Sequence, residues 1–172
     1  MAARMTYRDV LIHRRNCDPD QGYPLHTGVT PTLLATLEGF TPMGAPRSNA
    51  RSHFGSGDTA ARIKRYHEYR DAIASRVLTC LTQQTLVFSD FTGHLGLVFR
   101  FPVPTSWSMR KQIQACQFGE YHRQKPDVDN LVKGFLDAVM DEDCQVADVR
   151  AVKVWAPRGQ EGVQVWRLPQ WV

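Results

Sequence analysis

The sequence predicts an α+β fold with one domain, because two hydrophobic periodicities coexist in a chain without internal repeats. Apolar side chains alternate with other residues from Leu95 to Val103, which is the pattern of a long β-strand. Apolar side chains recur at helical spacing in two other segments, after Asp58 and after Asp127. The 172 residues suit one domain of ordinary size. We therefore expect strands and helices to share one core.

The N-terminal third of the chain predicts an extension, a strand and a basic loop. Residues 1–30 are polar with scattered glycine and proline, so we expect an irregular extension ahead of a domain that spans residues 31–172. In the segment Pro31–Phe40, apolar side chains alternate with polar ones, which predicts the first strand. A loop rich in glycine and proline follows, and it carries Arg47 and Arg51.

The central part of the chain predicts a helix followed by a hairpin. Asp58 or Thr59 can cap a helix that runs to about Leu81. The apolar stripe of this helix consists of Ile63, Tyr66, Ile73 and Val77. We expect Thr85–Phe91 to pair with the Leu95–Val103 strand through a tight turn.

The C-terminal part predicts two more helices and a second hairpin. Ser106–Gln117 follows the proline that ends the long strand and is expected to form a short basic helix. A further helix is predicted to begin at Asp127. Two apolar segments, Val149–Trp155 and Gly162–Leu168, flank a turn and predict a pair of antiparallel strands.

The distribution of charge suggests a divalent cation and a polyanionic partner. Within a formal net charge of +4, bases outnumber acids by seven to three over residues 42–76 and by five to one over residues 100–125. Residues 126–150 reverse this balance, with seven acids against two bases. Clustered carboxylates repel one another unless a cation lies between them, and basic surroundings favour a polyanion. The alternative at this point is a solvated acidic helix end.

Membrane-spanning, secreted and zinc-binding classes are disfavoured by the sequence. No apolar run approaches the roughly 18 residues that span a bilayer, and the first residues carry charges where a signal peptide is apolar. These features predict a cytoplasmic protein without a membrane partner. The four cysteines lie far apart and form no CxxC pair, which argues against a zinc site and against a disulfide-rich scaffold.

The helix after Lys125 concentrates residues that suit metal chemistry. Pro126 cannot extend a preceding helix, and Asp127 is well suited to an N-cap. At about 100° per residue, the apolar face consists of Val128, Leu131, Val132, Phe135 and Val139. The polar face consists of Asp129, Asn130, Lys133 and Asp137.

Two carboxylates at the start of this helix, Asp127 and Asp129, are compatible with one hard cation, since Mg²⁺ takes oxygen ligands at about 2.1 Å. A third acid is available from residues 141–143, directly after the helix. Two other interpretations stay open from the residues alone. Acids in a first turn also favour the helix dipole, and Asp129 could form an ordinary i,i+4 ion pair with Lys133.

The fuller motif resembles the RusA family of Holliday-junction resolvases. The string KPDVDNLVKGFLDAV, with DEDCQV and then Lys153 after it, is similar to the family's DxDN-x-x-K helix, its DA-hydrophobic ending and its acidic pair before x-Q-V. Upstream segments also resemble the family's first strand and arginine-bearing loop, its next helix and the stretch before its catalytic helix: Gly39–Arg47, Arg65–Arg70 and Pro104–Ser108 with His122. The resemblance covers roughly Leu33–Val154.

This resemblance implies a magnesium-dependent endonuclease, with Mn²⁺ able to substitute, that acts on branched DNA as a homodimer and nicks opposed strands of a four-way junction. It also implies a mixed β-sheet backed by helices. On the matching positions, Asp127, Asp129 and Asp143 would bind the metal and help activate water, and Lys133 would steady phosphate charge or orient a carboxylate.

One departure from the family pattern concerns the third carboxylate. The family usually has a longer turn before its second acidic pair, whereas here only Met140 and Asp141 separate the helix ending from Glu142 and Asp143. Asp143 is favoured because it directly precedes the x-Q-V sequence. The short turn leaves Asp137, Asp141 and Glu142 as alternatives.

Basic residues around these motifs are candidate phosphate contacts, because Lys and Arg bind DNA without reading its sequence. The candidates are Arg47, Arg51, Lys64, Arg65, Arg110, Lys111, His122, Lys125 and Lys153. Two rival functions stay open: a nucleotide-sugar transferase, whose DxD motif also holds a cation, and a junction-binding protein without catalysis. The missing βαβ pattern argues against the first, and the carboxylate cluster argues against the second.

Overall fold

A mixed β-sheet forms the centre of the computed structural model, which describes residues 31–45, 57–83, 87–117, 119–140 and 145–168. The strands are Thr32–Glu38 (β1), Gly93–Pro102 (β2), Val146–Ala156 (β3) and Gly162–Arg167 (β4). Within the described residues they form one four-stranded sheet in the order β1-β4-β2-β3. β4 is antiparallel to β1 and to β2, whereas β2 and β3 are parallel.

Helices cover one face of this sheet. Among the described residues they are Gly57–Thr82 (α1), Met109–Gln117 (α2) and Val128–Val139 (α3), with a short 3-10 helix at Phe88–Phe91. The alternating side chains predicted for β2 all enter the core shared with these helices, and they are Leu95, Leu97, Phe99, Phe101 and Val103. The predicted α+β class is therefore confirmed.

The connection between β2 and β3 contains α2 and α3. Two parallel neighbours cannot be joined by a tight turn, so the chain must cross from the end of β2 back to the start of β3. In this crossover α3 packs against α1 and against β3. The topology thus holds α3, whose start carries the DxD sequence (Asp127–Asp129), between α1 and β3, the outer strand of the described sheet.

The predicted hairpin of the last two strands is wrong, although both strands form. β3 and β4 are not neighbours, because β2 lies between them and pairs with both. β4 has buried residues on both of its faces, with Val163 and Val165 at 0 % exposure on one and Trp166 at 4 % on the other. A strand apolar on both faces is more stable inside a sheet than at its edge, and this burial overrides the local turn.

The other predicted hairpin is also wrong where the structure describes it. Residues 84–86 lie outside the described residues, and Phe88–Phe91 forms a 3-10 helix instead of a strand. The Asp90 carboxylate accepts a hydrogen bond from the backbone N–H of Val87 at 3.0 Å and pairs with Arg167. Local side-chain bonds of this kind compete with strand pairing, since they satisfy the backbone within the turn.

The second face of the sheet is buried too, and it contains a charged residue. Val98, Val154, Trp166 and Leu168 form a small cluster there. Arg100 is only 6 % exposed, and its guanidinium donates to Glu38 at 2.9 Å and to Gln160 at 3.0 Å. A charge at this depth requires such partners, because an unpaired buried ion is very costly.

Two further predictions concern the N-terminal residues and membrane-spanning helices. Residues 1–30 lie outside the described residues, so the predicted N-terminal extension stays a prediction. In the part of the chain that the structure describes, no helix combines the length and the apolar content needed to cross a bilayer.

Candidate functional site

The start of α3 places Asp127 at the N-cap. The backbone of Asp127 is extended, with φ −70° and ψ 150°, and its carbonyl accepts the first helical bond from Leu131 N–H at 3.1 Å. Lys125–Pro126 just before it is a cis peptide bond. The Asp127 side chain makes no capping hydrogen bond. Asp127 therefore marks the helix start, as predicted, while its carboxylate stays outside the helix's own hydrogen bonding.

The apolar face of α3 fixes the helix on the core. Leu131 and Phe135 are fully buried and Leu136 is 8 % exposed. Val128, which was predicted for this face, is 40 % exposed because it is the first residue of the helix. Burial of the central residues determines which side of the helix points to solvent.

A glycine lets the chain after β1 approach α3 closely. A Cβ at Gly134 would lie 3.0 Å from the Met43 carbonyl oxygen and 3.3 Å from the Ala45 nitrogen. Ala45 N–H donates to the Asn130 carbonyl at 2.9 Å. The described chain before the predicted arginine loop is thus bound to α3. Arg47 and Arg51 themselves lie outside the described residues.

The two carboxylates of the DxD sequence are exposed at the start of α3. Neither the Asp127 carboxylate nor the Asp129 carboxylate accepts a hydrogen bond or forms an ion pair with any residue that the structure describes. Lys133 is also exposed, one turn after Asp129 on the same side. The ordinary Asp129–Lys133 ion pair, left open from the sequence, is not among the ion pairs of the described residues.

Asp137 has a different environment from these two carboxylates. Its carboxylate accepts a hydrogen bond from the Tyr66 hydroxyl at 3.2 Å, and its carbonyl accepts one from Arg70 at 2.5 Å. Burial, followed by the negative charge of Asp137, raises the pKa of Tyr66 to about 12. Asp137 follows Asp129 by eight residues, a rise of about 12 Å along the helix axis. It belongs to the contact between α1 and α3.

The other candidates for the third carboxylate, Asp141, Glu142 and Asp143, lie outside the described residues. The described residues contain no group of three or more His, Cys, Asp and Glu side chains that could hold a metal ion. Two of the three predicted ligands, Asp127 and Asp129, lie at the start of α3, and the ligand role of all three stays a prediction.

The chain leading into α3 runs antiparallel beside the end of β3. Trp155 N–H donates to the Glu120 carbonyl at 3.2 Å, and His122 N–H donates to the Lys153 carbonyl at 2.9 Å. Tyr121 and Val154 form an isolated β-bridge between these two bonds. The backbone of this segment is therefore fixed by β3.

The Lys153 side chain continues this attachment towards α3. Its ammonium donates to the Gln124 carbonyl and to the Pro126 carbonyl, both at 2.7 Å. Pro126 immediately precedes Asp127. Lys153, which was predicted as a DNA contact, is thus hydrogen-bonded to the residue that precedes the DxD sequence.

A comparison with models of protein families identifies the family of this chain. The family model described as Endodeoxyribonuclease RusA matches residues 39–165, which is most of the chain. The protein belongs to the RusA endodeoxyribonuclease family. The match begins in the turn after β1 and ends within β4, so it includes all the described helices and the DxD segment. Searches of curated proteins and of solved structures gave no match.

Membership of the RusA family gives the activity class. The protein is a crossover-junction endodeoxyribonuclease, a hydrolase that acts on branched DNA. RusA nucleases depend on divalent metal ions in general. The interpretation of the DxD sequence as part of a nucleotide-sugar transferase is therefore not retained.

Among the candidate DNA contacts of this RusA protein, His122 is buried. The residue is 5 % exposed, and its ring stacks on the Phe101 ring with centroids 4.1 Å apart and packs against the Trp155 ring with centroids 4.4 Å apart. Burial lowers the pKa of His122, and the nearby Lys153 ammonium lowers it further. These surroundings favour a neutral packing residue over the phosphate contact predicted from the sequence.

Three other candidates of the RusA protein are exposed, and one of them contacts this aromatic group. Lys111 lies over the Trp107 ring, 4.1 Å from its centroid, and Trp107 packs edge-on against Trp155 at 4.9 Å. Arg110 is exposed in the same turn of α2, and Lys125 is exposed just before α3. The rings connect the start of α2 to the segment that precedes the DxD sequence.

Lys64 and Arg65 lie beside a different part of α3. Both are exposed on α1, where Lys64 pairs with Glu68 at 3.9 Å and Arg65 donates to the Ala61 carbonyl at 3.3 Å. Their neighbour Tyr66 contacts Asp137 near the C-terminal end of α3. Lys64 and Arg65 therefore lie next to the contact between α1 and α3.

Sequence reasoning missed two features of this site. Tyr66 was predicted only for the apolar stripe of its helix and Arg70 only as part of a segment resembling the family, although both bind Asp137 across about 70 residues of chain. The two carbonyls that Lys153 holds are backbone groups, which no side-chain motif marks. Neither feature has a periodic signal, since both arise from contacts distant in sequence.

Proposed function

We propose that this protein resolves four-way DNA junctions by paired, magnesium-dependent nicks, and that Asp127 and Asp129 on α3 bind the metal. The observation that carries this proposal is the state of these two carboxylates. They lie exposed at one end of a firmly packed helix, and no described residue uses either of them.

The chemistry of the donor set fits a hard divalent cation. Mg²⁺ prefers carboxylate oxygens and commonly binds to one or two of them while keeping waters. Neither acid serves a local purpose in the helix. The Asp127 carboxylate makes no capping hydrogen bond, and Asp129 forms no ion pair with Lys133 among the described residues. Mn²⁺ has similar ligand preferences and is expected to substitute.

The residues of the first turn would act on the phosphodiester in separate ways. Asp127 and Asp129 would hold the ion through their carboxylate oxygens, with Asp143 as the proposed third ligand. Lys133 lies one turn further on, where its ammonium can steady phosphate charge or orient a carboxylate. The chemistry that a divalent cation supplies in such a site is polarisation of the scissile phosphodiester and activation of water.

The position of Asp137 argues against this residue as the third ligand. Asp137 lies about 12 Å along the helix from Asp129, whereas ligands of one Mg²⁺ all lie about 2.1 Å from it. The Tyr66 hydroxyl also occupies the Asp137 carboxylate. The remaining choices are the acids after the helix, Asp141, Glu142 and Asp143.

Exposed basic side chains near the start of α3 are proposed to hold the DNA backbone. Lys125, Arg110 and Lys111 lie on the described surface of this region, and we expect Arg47 and Arg51 to join them. Lys64 and Arg65 would contact a more distant phosphate, because α1 meets α3 near its other end. Bases of this kind position DNA without reading its sequence.

A labelled four-way junction tests the proposed site. Asp127→Asn and Asp129→Asn each remove a metal ligand and one negative charge, so we expect junction binding to persist. Nicking in Mg²⁺ should fall by about 100-fold or more, since metal stabilisation of the transition state is worth several kcal/mol. Nicking rates and junction binding in EDTA are the measurements.

Asp71→Asn is the matched control, because Asp71 is an exposed acid on α1 away from the DxD sequence. It should nick at the wild-type rate. An Asp127→Asn or Asp129→Asn protein that nicks as fast as this control would refute the proposed metal ligands. A wild-type protein that binds the junction and cuts in neither Mg²⁺ nor Mn²⁺ would refute the activity.

A further inference from the structure

We infer that Lys153 is a positioning residue of the nuclease site, which holds the backbone of Asp127 in place for metal binding, rather than a contact to DNA. This inference rests on the proposed function, because it concerns one of the proposed ligands. It begins from the two carbonyl groups that the Lys153 ammonium binds at 2.7 Å.

The Pro126 carbonyl needs a donor that α3 does not provide. The hydrogen bonds of α3 begin with the Asp127 carbonyl, which accepts from Leu131 N–H. The carbonyl before it lies outside the helix and must find another partner when it is shielded from water. Lys153 supplies that partner, and the Pro126 carbonyl carbon is bonded directly to the Asp127 nitrogen.

The same residue fixes the chain at two levels. The backbone carbonyl of Lys153 accepts from His122 N–H at 2.9 Å, while its side chain binds the carbonyls of residues 124 and 126. Residues 122–126 are therefore attached to one position of β3. β3 pairs with β2 along its whole length. The position of the start of α3 is therefore fixed relative to the sheet.

The geometry leaves little of Lys153 for DNA. An ammonium has three N–H donors, and two of them are used at short distance by the carbonyls. The side chain is half-buried beside the enclosed His122 ring, whereas Lys125, Lys111 and Arg110 are exposed. A phosphate contact would be served better by those exposed bases.

The test measures metal binding directly, with Mn²⁺ titrated into DNA-free protein by calorimetry. In Lys153→Met the two carbonyls lose their donor, so we expect Mn²⁺ affinity to fall by about 10-fold or more, as for other groups that orient metal ligands. Junction affinity in EDTA should stay within about twofold of wild type. Lys153→Arg should recover most of the Mn²⁺ affinity, because a guanidinium can also donate to two carbonyls.

Arg158→Met is the control, since it removes one positive charge from an exposed turn between β3 and β4. It should match wild type in Mn²⁺ affinity. If Lys153→Met instead lowers junction affinity and the salt slope by about one while Mn²⁺ affinity is unchanged, Lys153 is a DNA contact and the inference is overturned.

A further arm separates this inference from the proposed metal site. If Asp127→Asn binds Mn²⁺ as well as wild type, the proposed ligand itself is wrong. If Asp127→Asn loses Mn²⁺ and a folded Lys153→Met keeps it, only the role of Lys153 is overturned. Should Lys153→Met fail to fold, Lys153→Gln replaces it: glutamine is too short to hold both carbonyls, and an unchanged Mn²⁺ affinity would contradict positioning.

Discussion

Asp127 occupies the N-cap position of α3 without capping the helix. A capping aspartate usually accepts a hydrogen bond from the second or third backbone N–H, and losing that bond costs about 1 kcal/mol. Here the bond is not made, and burial of Leu131 and Phe135 holds the helix instead. The residue type was predictable from the sequence as a helix start, but whether its carboxylate is free for a ligand depended on side-chain geometry.

The third carboxylate can be identified by single substitutions after the helix. We expect Asp143→Asn to abolish metal-dependent nicking, Glu142→Gln to impair it partly and Asp141→Asn to change it little. Asp137→Asn should keep nicking, because the Asp137 carboxylate is bound to Tyr66 well away from the first turn. Single-turnover nicking rates on a labelled junction, with binding checked in EDTA for each variant, are the measurement.

One pattern of results would show that the motif has been aligned wrongly across the short turn. This pattern is an active Asp143→Asn protein together with an inactive Asp137→Asn or Asp141→Asn protein. The binding measurement makes the pattern interpretable, since an inactive variant that no longer binds the junction has lost more than a metal ligand.

At the scale of elements, the contact between α1 and α3 orients the helix that carries the DxD sequence. Gly134 lets residues 43–45 approach α3, and the Tyr66 hydroxyl donates to Asp137 near the other end of the helix. Three parts of the chain therefore hold α3 along its length: residues 43–45 after β1, helix α1 and strand β3. This arrangement determines which side of α3 faces solvent.

Burial of the Tyr66 hydroxyl, together with its contact to Asp137, should make folding stability depend on alkaline pH. The pKa of Tyr66 is raised from 10.0 to about 12 in the folded protein, so the folded state keeps a proton that the unfolded chain loses. Its contribution is fully present below pH 10 and is lost as pH rises towards 12. Tyr66→Phe removes this group, and urea unfolding across that range should show a smaller loss of stability than wild type.

Tyr121→Phe is the comparison for this prediction, because Tyr121 is an exposed tyrosine with 37 % of its surface accessible. It should lose stability with pH as wild type does. Equal pH dependence in Tyr66→Phe and wild type would mean that Tyr66 does not retain its proton in the fold.

At the scale of the whole molecule, the site is assembled from parts of the chain that lie far apart in sequence. The parallel pairing of β2 with β3 requires the crossover that contains α3, and β3 brings Lys153 behind the start of that helix. The aromatic group of Trp107, Trp155 and His122 then connects the bases of α2 to the same region. Each molecule thus carries one DxD sequence at the start of α3.

Two equivalent strands of a four-way junction call for two such sites, which predicts a two-fold homodimer. We expect sedimentation velocity at micromolar concentration to give the mass of a dimer, both for the free protein and for its junction complex. Monomer alone under both conditions would count heavily against resolution by paired nicks.

The sequence by itself determined the fold class, the helix that carries the DxD sequence and the family resemblance, because each of these is written in local periodicity or in a contiguous motif. Only the tertiary structure decided the strand order, in which β4 lies between β1 and β2, since burial of both faces of β4 outweighs the turn before it. It also decided that Asp137 binds Tyr66, that His122 is enclosed by rings and that Lys153 holds backbone carbonyls. These outcomes depend on which distant groups meet and on how each buried polar group finds a partner, and no local pattern encodes that choice.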